Sequence, residues 1–163
     1  MDSNFTKDTT ALMNEARLCA IDLGTGYIST IHLLLADCKI NNQHSVRNFF
    51  FKTPLAFQTF YESQRVAETS FFDSVVVESL PVTVEMEQAI RIAQKQYNGA
   101  IKPYHLFLAA SQLKETLFYS ILEPKERLYE RLENYYLQMG IVLRNSEAKK
   151  NLWQRLTSKR KLE

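Results

Sequence analysis

Two histidines sit in stretches that nearly repeat each other. YISTIHLLLA at 27–36 holds His32, and AIKPYHLFLA at 100–109 holds His105, 73 residues further on. Imidazole titrates close to neutral pH, so a repeated histidine suggests a metal ligand or a general base. Either role needs company. A zinc site wants three or four ligands at close spacing, and Cys19 and Cys38 match no such spacing. A base needs a nucleophile in a recognisable setting, and neither histidine has one. Leu33-Leu34-Leu35 follows the first and Leu106-Phe107-Leu108 the second. That surrounding predicts core histidines, each tying a ring N–H to a backbone carbonyl of a neighbouring helix. The sequence thus predicts no catalytic residue, no metal and no cofactor, and the two cysteines read as free thiols.

The elements that position these histidines repeat as well. At a constant offset of 73, Thr10, Met13, Ala16, Ala20, Gly26 and Ile28 recur as Thr83, Met86, Ala89, Ala93, Gly99 and Ile101. Leu33, Leu35 and Ala36 recur as Leu106, Leu108 and Ala109, so the match runs through both histidines without a gap. Such self-similarity marks an internal duplication. Each copy reads as helix, turn, helix. Leu12, Ala16, Cys19, Ala20 and Leu23 fall three or four apart on one face, and Met86, Ala89, Ile90, Ala93 and Gln94 hold the corresponding track. Gly26 and Gly99 are expected in the turns, with left-handed backbone. Ser29 is the expected N-cap of the second helix in the first copy, and Pro103 opens its counterpart.

The totals bound the rest. The chain has 163 residues, 45% apolar and 23% charged, with only four glycines and four prolines. That scarcity of turn formers favours helices over an all-β fold. No apolar run approaches the roughly 20 residues needed to span a bilayer, and MDSNFTKDTT is too polar for a signal peptide. The expectation is a cytoplasmic protein without membrane contact. None of the glycines begins a phosphate-cradling G-x-x-x-x-G-K-[ST] loop.

FT at 5–6, the alanines at 16 and 20, LG at 23–24 and the two histidine stretches together resemble the N-terminal domain of Clp ATPases. The resemblance covers at least 5–38 and 78–110. It implies an all-α fold of two pseudo-twofold-related four-helix repeats, about 5–73 and 78–144, within one domain spanning 1–163. A C-terminal helical extension follows at about 145–163. It also implies a module that binds proteins and performs no chemistry. In the family this domain recognises substrates or adaptors for a AAA+ unfoldase. Some members hold phosphoarginine with two glutamates and with hydroxyls near the helix starts. Thr6 and Ser79, each the same interval before its histidine, keep the hydroxyls here. Ile31 and Tyr104 stand where the glutamates would be. The four positions Thr6, Ile31, Ser79 and Tyr104 are therefore the candidate partner-binding residues, with apolar rather than anionic character at two of them. His32 and His105 are the structural histidines of the repeat.

Two segments depart from that pattern. Residues 49–72 carry eight of the 19 aromatic residues. They are expected to fill the core of the first repeat, with an aromatic groove for a partner as the alternative. SVVVES at 74–79 reads as an extended connector. Further on, Leu128, Leu132, Tyr135, Tyr136 and Met139 share a helical face that Gly140 ends, and another helix is expected from Asn145 or Ser146 through Ala148, Leu152, Trp153 and Leu156. Residues 149–163 hold six Lys or Arg and one acid. This tail is the basis of an alternative function, a helical nucleic-acid binder. The whole chain has a net charge of +2, so the body without this tail is acidic, and a dedicated binder would spread basic charge over its body. A second alternative is a secretion-associated Clp-type domain that binds a sheath peptide.

Overall fold

The computed structural model describes residues 4–66, 80–114, 118, 126–141 and 143. Among these residues the protein is all-α, with seven helices and no strand. Helix α1 spans Lys7–Asp22, α2 Thr30–Ile40, α3 Arg47–Phe50, α4 Pro54–Ser63, α5 Val84–Gln96, α6 Pro103–Ala110 and α7 Leu128–Gln138. Of these seven, four fall within 5–73 and three within 78–144. The connector at 74–79 and the helix expected from Asn145 lie outside the described residues.

Side-chain oxygens start three of the helices. Thr6, Thr53 and Thr83 accept from the backbone N–H groups of Thr9, Ala56 and Met86. Each bond satisfies a donor that has no partner within its helix. Ser29 is the N-cap of α2, as its sequence position predicts. Helices α1 and α7 end alike. Gly24 and Gly140 take positive φ, so that the N–H groups of Thr25 and Ile141 reach back to the carbonyls of Ala20 and Tyr136. Gly99 is also left-handed but Gly26 is not, so Gly24 rather than the repeated Gly26 provides the reversal.

The repeated track is the buried one. Leu12, Ala16, Cys19, Ala20 and Leu23 are buried in the first copy, and Met86, Ala89, Ile90 and Ala93 in the second. Gln94 leaves that track: it is exposed, and Tyr97 takes the next buried place. The small alanines let α1 pack along α2 and α5 along α6, the two most extensive helix pairings. On α7, Leu128, Leu132 and Tyr136 are buried, with Tyr135 and Met139 packed against the core. The aromatic segment does more than fill the first repeat. Phe51, Phe57 and Tyr61 pack together there, while Phe49 meets Tyr135 at 5.2 Å and Phe50 meets Phe118 at 5.7 Å. Those two phenylalanines join the first repeat to the second.

Two isolated bridges tie the copies to each other. Phe5 pairs with Ile101, and Ile28 pairs with Val82. Thr6 N–H donates to the Ile101 carbonyl (3.1 Å) and Thr83 N–H to the Ile28 carbonyl (2.9 Å). Ile101 N–H donates to the carbonyl of Asn4, and Ile28 N–H to that of Pro81. The residues just before α1 therefore grip the turn before α6, and the residues just before α5 grip the turn before α2. Buried Thr9 adds a bond from its hydroxyl to the Ile101 carbonyl at 2.6 Å. Thr9→Val keeps the shape and removes that donor. The Ile101 carbonyl retains Thr6 N–H, so the expected loss is about 1 kcal/mol, or roughly 2–4 °C in melting temperature. A thermal melt beside Thr10→Val, whose hydroxyl is exposed, measures the difference.

Candidate functional site

The two repeated histidines are helix caps. In each copy the ring stands at the third helical position, and its Nδ1 accepts from the backbone N–H of the N-cap residue. The distances are 2.9 Å from Ser29 to His32 and 3.1 Å from Lys102 to His105. A capping box normally uses Glu or Gln for this reach back. For His32 the expected donation to a carbonyl of a neighbouring helix is replaced by acceptance within its own helix and by contact with the Thr25 hydroxyl. Nδ1 must be unprotonated to accept, which leaves the hydrogen on Nε2 of the neutral ring. For His32 that hydrogen is directed at Thr25 Oγ1, 3.0 Å away, and the Thr25 hydroxyl lies 3.0 Å from the Ala20 carbonyl.

The two sites differ in depth. His32 is 3% exposed, and burial lowers its pKa from 6.5 to about 4. His105 is only half buried, stacked on Tyr97 with ring centroids 3.8 Å apart. The expectation of equivalent buried places thus holds for the hydrogen bond and fails for the burial. In the second copy Tyr97 and Asn98 stand where the first has Gly24 and Thr25.

Among the described residues no group of three His, Cys, Asp or Glu is placed to hold an ion. Cys19 and Cys38 are buried free thiols. Burial pushes Cys19 up to about 11 and Cys38 higher still, so neither supplies a thiolate near neutral pH.

The four candidate partner-binding residues separate. Ile31 is buried at 3% exposure and offers no surface. Ser79 lies outside the described residues, and the hydroxyl that caps α5 belongs to Thr83. Thr6 and Tyr104 come together: both line a cavity of about 430 Å³ where the starts of α1 and α6 meet. Lys102 stands over the Tyr104 ring at 5.8 Å. The opposite wall is the turn of Asn42, Gln43 and His44 after α2. A second cavity, of about 470 Å³, continues from the first along α1 toward Ile40.

The 41–44 turn is the part that sequence reasoning passed over. Its signal was available in the run Asn41-Asn42-Gln43-His44, whose first residue closes α2 in the left-handed conformation that asparagine tolerates. The turn is anchored from below. Asp37 is buried, and its Oδ2 accepts from Ser45 Oγ and from Val46 N–H, each at 2.8 Å. Tyr135 on α7 donates to the Ser45 carbonyl at 2.8 Å. No protein-family model matches the chain, and no curated protein matches it.

Proposed function

We propose that the chain is a protein-binding module of the kind represented by the Clp N-terminal domain. It recognises substrate or adaptor proteins for a AAA+ unfoldase and carries out no catalysis itself. The observation that carries this reading is the reciprocal pairing of Asn4–Thr6 with Ile101 and of Pro81–Thr83 with Ile28. Two copies of one unit related by an approximate twofold axis would exchange contacts in this way. The trough at the junction of helix starts supports binding, because it gathers amides, a hydroxyl, a carboxylate, an imidazole and an aromatic ring in one open depression. Among the described residues no helix is long and apolar enough to cross a membrane. The reading places the protein in the cytoplasm, where unfoldases meet their substrates.

Affinity capture on the purified, tagged chain tests this. The expected captures include a AAA+ unfoldase, its adaptor or its substrates. Excess free chain is then expected to slow degradation of a captured substrate by competing for it. Salt-sensitive capture of nucleic acid in place of protein would overturn the reading, as would ATP turnover by the chain that survives further purification.

A further inference from the structure

We propose that the trough between the start of α1, the 41–44 turn and the start of α6 takes an extended peptide segment with two apolar side chains and a lysine or arginine between them. The inference rests on the protein-binding reading above and names what would be bound. The two cavities share five lining residues, Asp8 and Pro103 among them, and so form one continuous depression. Their volumes, about 430 and 470 Å³, each suit one or two side chains rather than a folded surface.

Each end of the trough carries apolar side chains beside polar ones, Lys102 at the first and Asp37 at the second. Tyr104 and Ile141 line one end, and Ala11 and Ile40 the other. Ile40 is 42% exposed at the end of a helix that otherwise buries its apolar residues, so a ligand side chain covering it removes apolar surface from water. The stretch between the ends is polar. Asn42 and Gln43 line both cavities, and a side-chain amide can donate and accept as a peptide backbone does, with Asn42 Oδ1 already accepting from His44 N–H at 3.0 Å. Asp8 also lines both, is exposed, and has no salt bridge among the described residues. Lys102 is confined to the Tyr104 end. Asp8 is the carboxylate common to both cavities, with His44 the other titratable side chain they share, and a peptide cation beside Asp8 is matched.

Spacing fixes the rest of the pattern. The ends lie beside Thr6 and Ala11 on α1, five residues apart and so separated by roughly 7.5 Å along the helix axis. An extended chain advances about 3.3 Å per residue. Apolar side chains two or three residues apart reach both ends, which leaves the cation opposite Asp8.

Fluorescence anisotropy with the full chain tests this, using labelled ten-residue peptides with Gly-Ser flanks. The central sequences are Leu-Lys-Ser-Leu, Leu-Glu-Ser-Leu and Ser-Lys-Ser-Ser. At low salt the first is expected to bind about threefold or more tighter than the second, the range for one exposed ion pair, and the third not measurably. Asp8→Lys is expected to reverse the preference between the first two, and Asp8→Asn to abolish it. Ile40→Asp is expected to weaken the first about tenfold, the cost of uncovering one apolar side chain. Asp8 and Ile40 both have solvent-exposed side chains, so unchanged melting of these variants separates lost binding from lost fold. Binding of the leucine peptides that ignores both Asp8 and Ile40 would overturn the trough and leave the protein-binding reading intact. Absence of binding by all three peptides, while the chain still captures intact protein partners, would also overturn it.

Discussion

Replacing His32 by alanine is expected to lower the melting temperature by about 6–12 °C, while the same change at His105 costs less than half as much. The two residues align, so the sequence alone predicts equal losses. Their surroundings decide otherwise. His32 is buried and uses both ring nitrogens: Nδ1 accepts from Ser29 N–H and Nε2 meets Thr25 Oγ1. Alanine leaves the buried Ser29 N–H without its acceptor, removes the donor to Thr25 Oγ1, whose hydroxyl keeps the Ala20 carbonyl as its acceptor, and opens a cavity of imidazole size. Unsatisfied buried groups cost about 1–3 kcal/mol each way, and a total near 3 kcal/mol corresponds to the stated shift for a chain of this length. His105 makes the same cap bond to Lys102, but it is only partly buried, so water can take up part of what alanine removes. His32→Gln separates the cap from the ring. Glutamine can accept from Ser29 N–H as in an ordinary capping box, and is expected to recover roughly half of the loss. Equal melting of the two alanine variants would show that burial is not what distinguishes them.

The helices were legible where periodicity and capping agree. Leu12, Ala16, Cys19 and Ala20 announce the buried face of α1, and Leu128, Leu132 and Tyr136 that of α7, because a 3.6-residue repeat of apolar side chains has no other stable use. The repeat revealed that the histidines share a role without revealing which one. A ring nitrogen at the third helical position looks the same in sequence whether it serves the cap or a neighbouring carbonyl. Gly26 misled for a related reason: it is repeated, but the left-handed residue is Gly24, and φ is set by where the helix ends. Ile31 misled through depth. It stands where the resembled family carries a binding glutamate, which suggested surface, yet α2 buries all of Thr30–Cys38. Phe49 and Phe50 were legible as apolar but not as links to Tyr135 and Phe118, since contacts across some 70–85 residues leave no mark on local pattern. The trough was the least legible part. It is made of ordinary polar residues, Asp8, Asn42, Gln43 and His44, which acquire a shared purpose only when the chain brings α1, the turn and α6 together.

Asp37 and His32 are expected to hide each other's pH dependence. Burial lowers His32 from 6.5 to about 4, so the unfolded chain binds the extra proton across that interval. Stability therefore rises with pH from about 4 to 6.5, by about 3 kcal/mol in all. Asp37 has the opposite sign. Burial raises it from 3.8 to about 6, outweighing the bonds from Val46 N–H and the Ser45 hydroxyl that favour the carboxylate. Here the folded chain holds the extra proton, so stability falls as pH rises from about 3.8 to 6, again by about 3 kcal/mol. Between pH 4 and 6 these two contributions nearly cancel. Single substitutions are expected to uncover them. Asp37→Asn keeps an acceptor for Val46 N–H and cannot ionise, so its stability should climb steeply with pH through that window. His32→Gln removes the other titration, and its stability should decline over the same range. Urea titrations of both variants at half-unit intervals from pH 4 to 6.5 measure the slopes. Parallel profiles in the two variants would show that these buried groups do not titrate as their burial requires. The Asp37 arm also bears on the trough, because Asp37 holds Ser45 and Val46 at the base of the 41–44 turn. Asp37→Ala should leave the Val46 N–H buried and unpaired, lower stability by about 2–3 kcal/mol, and loosen one wall of the trough with it.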